Sequence, residues 1–371
     1  MKKILFAFSI SSLFFTTSCL HEDDGAIQIP PLSGTLMSPD MGGANQRYQV
    51  WIDLSAPVPM EGEEDQRQKK NLRTAWDLAF YNGDEFRVIL NYSIFMTAGS
   101  INSTNIDEVN EADFAMLLET FSPGAGIPPQ YIDNIKGDYF TPNGTAIKEI
   151  SANDAENKVY LVKLGYDYYH GNDIPPYNVY TSGDFRGYKK VRILRHGEDG
   201  YLIQYADLNS TSHQEFIIHK NPEYHFTFFS MVNESTVEIQ PKKNNWDICF
   251  TVWNNVIEGY GTYIYPDFVL SNRLSGVGVY EIITDATNLE MAFNNFTLAD
   301  VNEALFKYDD QRVIGSDWRS TVNGTSSSPI VHPDRFYVIK DPNGQMFKLR
   351  FLSMLGPNNE RGFPKFEYDP L

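Results

Sequence analysis

The stretch FYVIKDPNGQMFKLRF, residues 336–351, is the part of the sequence that indicates its fold most clearly. Two runs rich in apolar, aromatic and β-branched residues flank the tetrapeptide Asp-Pro-Asn-Gly at 341–344. Because Asn and Gly readily adopt the left-handed backbone of tight turns, this pattern predicts a β-hairpin. A similar hairpin is predicted from residues 188–194, through a Gly-containing turn at 196–200, to residues 201–205.

Several other features occur twice in the same order, which indicates an internal repeat. The recurring pairs are YQVWI at 48–52 with YHFTF at 224–228, WDLAF at 76–80 with WDICF at 246–250, and EVNEA at 108–112 with DVNEA at 300–304. We therefore predict a duplicated domain. Its boundary is expected near 221–222, where Pro222 would interrupt strand pairing.

Most of the remaining periodicity is of the strand type, and helical spacing is limited to about 107–121 and 298–308. Aromatic residues make up 14% of the chain, and aromatic side chains favour strands. The expected fold class is all-β, with two tandem antiparallel β-sheet domains at 46–221 and 222–371. Each domain is expected to contain one short helix.

The N-terminus has the features of a secretory signal. Lys2 and Lys3 precede an apolar run that is too short to span a bilayer, and Thr-Thr-Ser leads into Cys19. We expect residues 1–19 to be a lipoprotein signal and Cys19 to be the lipid attachment site; an ordinary signal peptide with a chance cysteine is the alternative. Residues 20–45 contain several Pro, Gly and Ser residues and predict a flexible tether.

These features indicate where the protein acts. A lipidated Cys19 would anchor the chain to the outer membrane without a spanning helix. The acidic run at 21–24 is typical of a surface-export signal, and a solvated linker is the alternative. We expect an outer-membrane lipoprotein exposed at the cell surface.

Composition and motifs exclude several functions. The formal net charge is −18, which argues against nucleic acid as a partner, since phosphates require a basic face. The sequence has no nucleophile elbow, phosphate loop or Cys-x-x-Cys motif. His213 and His219 lack the spacing of a zinc protease, and Cys249, in an apolar strand, is expected to be buried. We therefore expect no enzyme; a hydrolase with paired carboxylates is a weaker alternative.

The combined pattern resembles the HmuY family of haem-binding surface lipoproteins. The residues that carry the resemblance are the two Trp-Asp motifs, the two VNEA segments, the stretch from His332 to Phe351, and the final RGFPKFEY at 361–368. The resemblance is strong over 222–371 and weaker over 46–221. It implies an all-β protein that captures haem, free or from haem-carrying host proteins, and passes it to a TonB-dependent receptor in the outer membrane.

The resemblance also implies axial His or Met ligands to the haem iron. His170 is the leading candidate, also as a metal ligand, because it follows an apolar strand and precedes Gly171. The other candidates are His332, Met116 and Met291, although the two methionines could instead fill cores. His213, His219 and His225 are six residues apart, or about 20 Å along one strand, so no two of them could clamp one haem from a single strand.

Bound haem would also need cationic side chains near its two propionate groups. Arg186, Lys189 and Lys190 could neutralise the haem propionates, or could simply protect a solvated edge strand.

The expected function is non-enzymatic haem capture. The alternative is a surface interaction module that binds a glycan, a peptide or a partner protein on the same fold.

Overall fold

The computed structural model describes residues 35–60, 62–122, 126–321 and 328–371. The predicted signal peptide, the lipid-attachment residue Cys19 and the acidic run at 21–24 lie outside the described residues. Within the described ranges, no helix is both long enough and apolar enough to cross a membrane.

Twenty strands and two short α-helices form the described part of the chain. The strands are β1 (Thr35–Met37), β2 (Tyr48–Ile52), β3 (Gln68–Leu72), β4 (Leu78–Tyr81), β5 (Val88–Leu90), β6 (Thr97–Ser100), β7 (Tyr160–Lys163), β8 (Tyr188–Arg195), β9 (Gly200–Ala206), β10 (Gln214–His219), β11 (Phe226–Ser230), β12 (Ser235–Val237), β13 (Ile248–Ile257), β14 (Gly261–Ser271), β15 (Gly278–Ile283), β16 (Arg319–Ser320), β17 (Ile330–Val331), β18 (Arg335–Lys340), β19 (Met346–Leu355) and β20 (Arg361–Pro370). The helices are α1 (Ala115–Thr120) and α2 (Leu289–Asn295). The all-β expectation, with short helices, is confirmed.

The strands form two β-sandwiches, each with its own core. In the first sandwich, sheet β10-β9-β8-β7-β6 packs on sheet β12-β11-β4-β5 around Phe80, Tyr201 and Phe229. In the second, sheet β1-β20-β19-β18-β15 packs on sheet β14-β13-β2-β3 around Phe250 and Tyr337. Strand pairing within these sheets is antiparallel.

Pairing between strands crosses the expected boundary at 221–222. Strand β2 pairs with β13, so that Ile52 lies opposite Ile248. Strand β11 pairs with β4, so that Phe228 lies opposite Ala79. The first sandwich is therefore built from the continuous stretch β4–β12, and the second from both ends of the described chain. The hairpin β2–β3 thus completes the sheet that contains the second Trp-Asp motif, and the hairpin β11–β12 completes the sheet that contains the first.

The two Trp-Asp motifs nevertheless occupy matching places. Asn91 donates its side-chain amide to the carbonyl of Trp76 at 2.7 Å, and Asn272 donates to the carbonyl of Trp246 at 2.9 Å. Each motif leads into the strand that receives the exchanged hairpin. The duplication itself stays a prediction, and these matching contacts support it.

Both predicted hairpins form, as β8–β9 and β18–β19. Their places in the sheets differ by one strand, however. In the two matching sheets, β7 and β8 of the first sandwich hold the positions that β18 and β19 hold in the second. The tight turn at 341–344 therefore corresponds to the long β7–β8 connection, and not to the turn at 196–200.

The helices and the tether require corrections. Helix α1 lies inside the predicted 107–121, but the predicted 298–308 contains only short 3-10 turns, and α2 precedes it. The chain returns to an extended backbone at Val301, and the side chain of Asn302 caps the next turn, so no continuous helix forms there. Residues 35–45, expected to be tether, contain β1 and the fully buried Met41, because β20 needs an edge partner.

Candidate functional site

The two sandwiches differ most in length at the connection between β7 and β8, residues 164–187. We call it the β7–β8 loop. The second sandwich closes the same place with a turn of five residues, 341–345. Long loops on a rigid β-scaffold commonly carry binding residues. The leading predicted ligand, His170, lies in this loop.

Two cations, the buried Arg73 and the largely buried Arg186, hold the base of the loop. Arg186 forms an ion pair with Asp77 of the first Trp-Asp motif at 2.8 Å. Arg73 donates to the carbonyl of Thr181 at 2.7 Å and to the carbonyl of Gln46 at 2.5 Å. Burial lowers the pKa of Arg73 to about 9, so it remains a cation at neutral pH. The base of the loop is thereby fixed.

The loop also contacts the second sandwich. Asn45 donates to the carbonyl of Tyr169 at 3.0 Å, and the backbone N–H of Tyr180 donates to the carbonyl of Ala44 at 3.2 Å. The backbone N–H of Tyr177 donates to the carbonyl of Asn359 at 2.8 Å. The loop therefore rests on both sandwiches, next to the strand-exchange region.

His170 projects from this loop with 57% of its side chain exposed. Nitrogen Nε2 lies 3.1 Å from the Asp167 carboxylate, and the centre of the ring lies 4.2 Å from that of Tyr168. Metal-binding histidines usually donate their second ring N–H to a carboxylate or carbonyl in this way. The Asp167 contact thus orients the imidazole and leaves its other nitrogen directed away from the carboxylate.

Aromatic side chains surround the same loop. Tyr169 packs edge-on against Tyr180, with ring centres 5.3 Å apart, and Tyr166 lies 5.5 Å from Phe185. About two fifths of Tyr180 and of Phe185 remain exposed. Apolar rings with exposed edges are suited to packing against a flat aromatic ligand.

Lys163, at the end of β7, lies beneath these rings. Its ammonium group is between 5.3 and 5.9 Å from the ring centres of Tyr166, Phe95 and Phe185. It forms no hydrogen bond or ion pair with any residue that the structure describes. Burial lowers the pKa of Lys163 to about 8.

The other predicted ligands are not brought to His170. His332 lies at the start of the second sandwich's hairpin, where its Nε2 is 2.7 Å from Ser320 Oγ. Burial, with a smaller contribution from Arg335, lowers the pKa of His332. Met116 is 80% exposed on α1 and Met291 is 59% exposed on α2, so the core-filling interpretation of both is wrong. In the described ranges no contact joins any of the three to His170.

The basic residues expected near the propionates have other partners. Arg186 is paired with Asp77, and Lys189 forms an ion pair with Asp207 at 2.6 Å. Lys190 is buried and donates to the carbonyl of Val109 at 2.6 Å. Neutralisation of a negatively charged ligand would therefore have to come from elsewhere.

The remaining described histidines differ from one another. His213 lies between Asp107 and Glu215; burial opposes the charge on His213, but these carboxylates raise its pKa overall. His225 is buried against Ser275, and burial lowers its pKa to about 4.

His196 and His219 form a pair that the sequence reasoning missed, with ring centres 6.3 Å apart. The missing signal was the register of β9 with β10, which places the β8–β9 turn beside the end of β10. Across the described residues, no group of three or more His, Cys, Asp or Glu side chains could hold a metal ion.

The fold and the β7–β8 loop define a β-protein of two antiparallel sandwiches, with one long loop next to the strand-exchange region. Residues 222–368 match the family model described as HmuY protein. The matched segment starts at the β10–β11 connection, and it therefore includes the β11–β12 hairpin that completes the first sandwich.

The chain also matches several solved structures at low sequence identity. A candidate lipoprotein from Bacteroides fragilis is 16% identical with a TM-score of 0.22, over 48% of this chain and 92% of that one. A candidate HmuY-like haem-binding protein from Bacteroides vulgatus is 14% identical with a TM-score of 0.22, over 38% and 83%. Apo PinO from Porphyromonas gingivitis is 14% identical with a TM-score of 0.17, over 49% and 95%. No curated protein matches the chain.

Proposed function

We propose that this protein is a surface lipoprotein that binds haem at the β7–β8 loop, with His170 as an axial ligand of the iron. The proposal covers non-enzymatic capture of haem, free or from haem-carrying host proteins. It includes lipid anchoring through Cys19 and delivery of haem to a TonB-dependent receptor in the outer membrane. The HmuY match over 222–368 supports the ligand class.

The Asp167–His170 contact carries the proposal. A carboxylate 3.1 Å from one ring nitrogen fixes the imidazole and raises its basicity toward a metal at the other nitrogen. His170 is exposed, so a large planar ligand can reach it. The ring of Tyr168 and the exposed edges of Tyr180 and Phe185 offer apolar surface on the same loop.

The donor set fits one axial bond from this chain. Among the described residues, no second His or Met contacts His170, and the sandwich cores are filled with side chains. We therefore propose that haem binds at the surface of the loop and not within a sandwich. One consequence is that haem remains accessible to the next carrier, as transfer requires.

Haem titration with visible spectroscopy tests the proposal. The chain without its signal segment should shift and sharpen the Soret band at micromolar haem, and His170→Ala should abolish this change. Asp167→Asn should weaken binding but leave the ligand in place. His332→Ala is the matched control, since His332 is the alternative predicted ligand and lies in the other sandwich.

The outcomes separate the alternatives. If His170→Ala still shifts the Soret band as the parent chain does, and His332→Ala does not, the assignment of His170 is overturned. No spectral change in the unmodified chain would overturn haem binding itself.

A second function, protein interaction without haem, is favoured by one observation. Met116 on α1, Met291 on α2 and Leu298 beyond α2 are all more than half exposed. Exposed flexible apolar side chains at matching helices are typical of adaptable protein-binding surfaces. The absence of a haem signal would favour this second function.

A further inference from the structure

A second pair of side chains, away from the β7–β8 loop, has the geometry of a metal-binding site. His196 directly follows β8, and His219 is the last residue of β10. Gly200 at the start of β9 lies between them: it pairs with His219, and its carbonyl accepts the backbone N–H of His196 at 2.9 Å. The two imidazoles therefore project side by side at one end of the sheet.

These two rings differ from the other histidines that the structure describes. His170, His213, His225 and His332 each have a ring nitrogen within hydrogen-bonding distance of a carboxylate or hydroxyl group. The rings of His196 and His219 are exposed and form no hydrogen bond or ion pair with any described residue. Their nitrogens are thus available to an external ligand.

The distance between the two rings fits a shared metal ion. A transition metal lies about 2.1 Å from an imidazole nitrogen, and so about 3.2 Å from the centre of the ring. Two imidazoles on one metal then have ring centres about 5.2 Å apart for a tetrahedral angle and about 6.4 Å for a linear one. The observed separation of 6.3 Å lies near the linear end of this range, which corresponds to two imidazoles on opposite sides of the metal.

Gly200 keeps the space between the imidazoles open. A Cβ atom at this position would lie 3.1 Å from the carbonyl oxygen of His196 and 3.6 Å from its Cβ atom. The absence of a side chain at Gly200 therefore leaves room for a metal ion beside the two rings.

We propose that His196 and His219 form a two-imidazole site for a borderline transition metal ion such as Ni²⁺, Cu²⁺ or Zn²⁺. Imidazole nitrogen favours these ions, whereas Ca²⁺ and Mg²⁺ require oxygen ligands. Water would complete the coordination sphere. The net charge of −18 attracts cations to the surface. The site is independent of the proposed haem ligand.

The test is calorimetric titration of the chain from residue 20 onward with NiCl2, without haem and without an affinity tag. Every sample carries His21→Ala, because a histidine close to a free N-terminus binds Ni²⁺ by itself. We expect one ion per chain, and we expect His196→Ala and His219→Ala each to weaken binding about tenfold or more, since each removes one arm of the chelate. The double variant should bind Ni²⁺ less than tenfold more weakly than either single variant does.

His170→Ala is the matched control, as it removes another exposed imidazole, and it should leave Ni²⁺ affinity unchanged. Circular dichroism confirms that each variant is folded. Unaltered affinity in either His196→Ala or His219→Ala, or no stoichiometric binding by the parent chain, would overturn the proposal. Loss of Ni²⁺ binding has no bearing on the Soret titration, so the two proposals fail separately.

Discussion

Asp77 Oδ2 accepts a hydrogen bond from the backbone N–H of Met231 at 2.7 Å, although 154 positions separate the two residues. The contact closes the junction at which the β11–β12 hairpin enters the first sandwich. Asp247 accepts the matching bond from Leu54 at 2.7 Å, where β2 enters the second sandwich. The aspartate of the Trp-Asp motif thus marks the point where each sandwich receives strands from the other part of the chain.

The two aspartates differ in their charge partners, and this difference predicts unequal sensitivity to mutation. Burial raises the pKa of Asp77, and the ion pair with Arg186 opposes that rise. Asp247 has no cation partner in the described ranges, and burial raises its pKa well above the usual range. Asp77→Asn leaves Arg186 buried without its partner and should cost about 3 kcal/mol, whereas Asp247→Asn should cost about 1 kcal/mol.

Urea unfolding of both variants measures these costs. The transition of the first sandwich should shift more in Asp77→Asn than that of the second in Asp247→Asn. Equal losses of stability would contradict the role assigned to Arg186.

His225 predicts a dependence of stability on pH. Its pKa is about 4 in the folded protein, because burial disfavours the charged ring, against an ordinary value of 6.5. As the pH falls below 6.5, the unfolded chain takes up a proton that the folded chain does not, so the free energy of unfolding decreases until about pH 4. The full effect corresponds to about 3 kcal/mol.

The measurement compares the parent chain with His225→Gln at several pH values, which cancels the effects of other groups. The stability advantage of the parent chain should be greatest near pH 7 and should shrink toward pH 4. A difference that does not depend on pH would show that the ring of His225 is not buried in a neutral form.

The sequence predicts the strands and hairpins because they depend on local patterns. Alternating apolar residues and the Asp-Pro-Asn-Gly turn at 341–344 specify β18 and β19 without further information. The exchange of hairpins could not be predicted in this way. Each of the two strands that follow a Trp-Asp motif, β4 and β13, could pair with either β2 or β11, since β2 and β11 offer the same apolar surface. Only the folded chain determines which pairing forms.

The candidate site, too, could be predicted from the sequence only where it depends on local patterns. The sequence predicts His170 as a candidate because a histidine at a strand end before Gly is a local signal. Its Asp167 contact lies three residues away in the loop and depends on the loop conformation. The closeness of His196 and His219 depends on strand register. The exposure of Met116 and Met291 depends on which face of each helix packs against a core. None of these is encoded in the spacing of residues along the chain.

The lipid anchor gives a prediction about location. If Cys19 carries acyl chains, Cys19→Ser should move the protein from the membrane fraction to the soluble fraction, because no other membrane anchor is expected. Metabolic labelling with palmitate should mark the parent chain and leave the variant unlabelled. Cys249→Ser is the matched control: Cys249 is a buried free thiol, and its replacement should leave labelling unchanged. Labelling that persists in Cys19→Ser would contradict the anchor.

Lys163 predicts a gain of stability on mutation. Its ammonium group lies among Phe95, Tyr166 and Phe185 and has no hydrogen-bond acceptor in the described residues. The pKa of Lys163 is about 8 in the folded protein and 10.5 ordinarily, so folding is disfavoured while the amine is charged, and stability rises as the pH increases from 8 to 10.5. Lys163→Met keeps the volume and removes the charge, so the melting temperature at pH 7 should increase.

Thermal unfolding at pH 7 and at pH 10 distinguishes this effect from a general improvement of packing. The gain from Lys163→Met should be large at pH 7 and much smaller at pH 10, where the parent lysine is largely neutral in the folded state. Lys189→Met, on the neighbouring strand, removes a lysine that is paired with Asp207, and it should give no such gain. A loss of stability in Lys163→Met at pH 7 would mean that attraction between the cation and the three rings exceeds the cost of burying the charge.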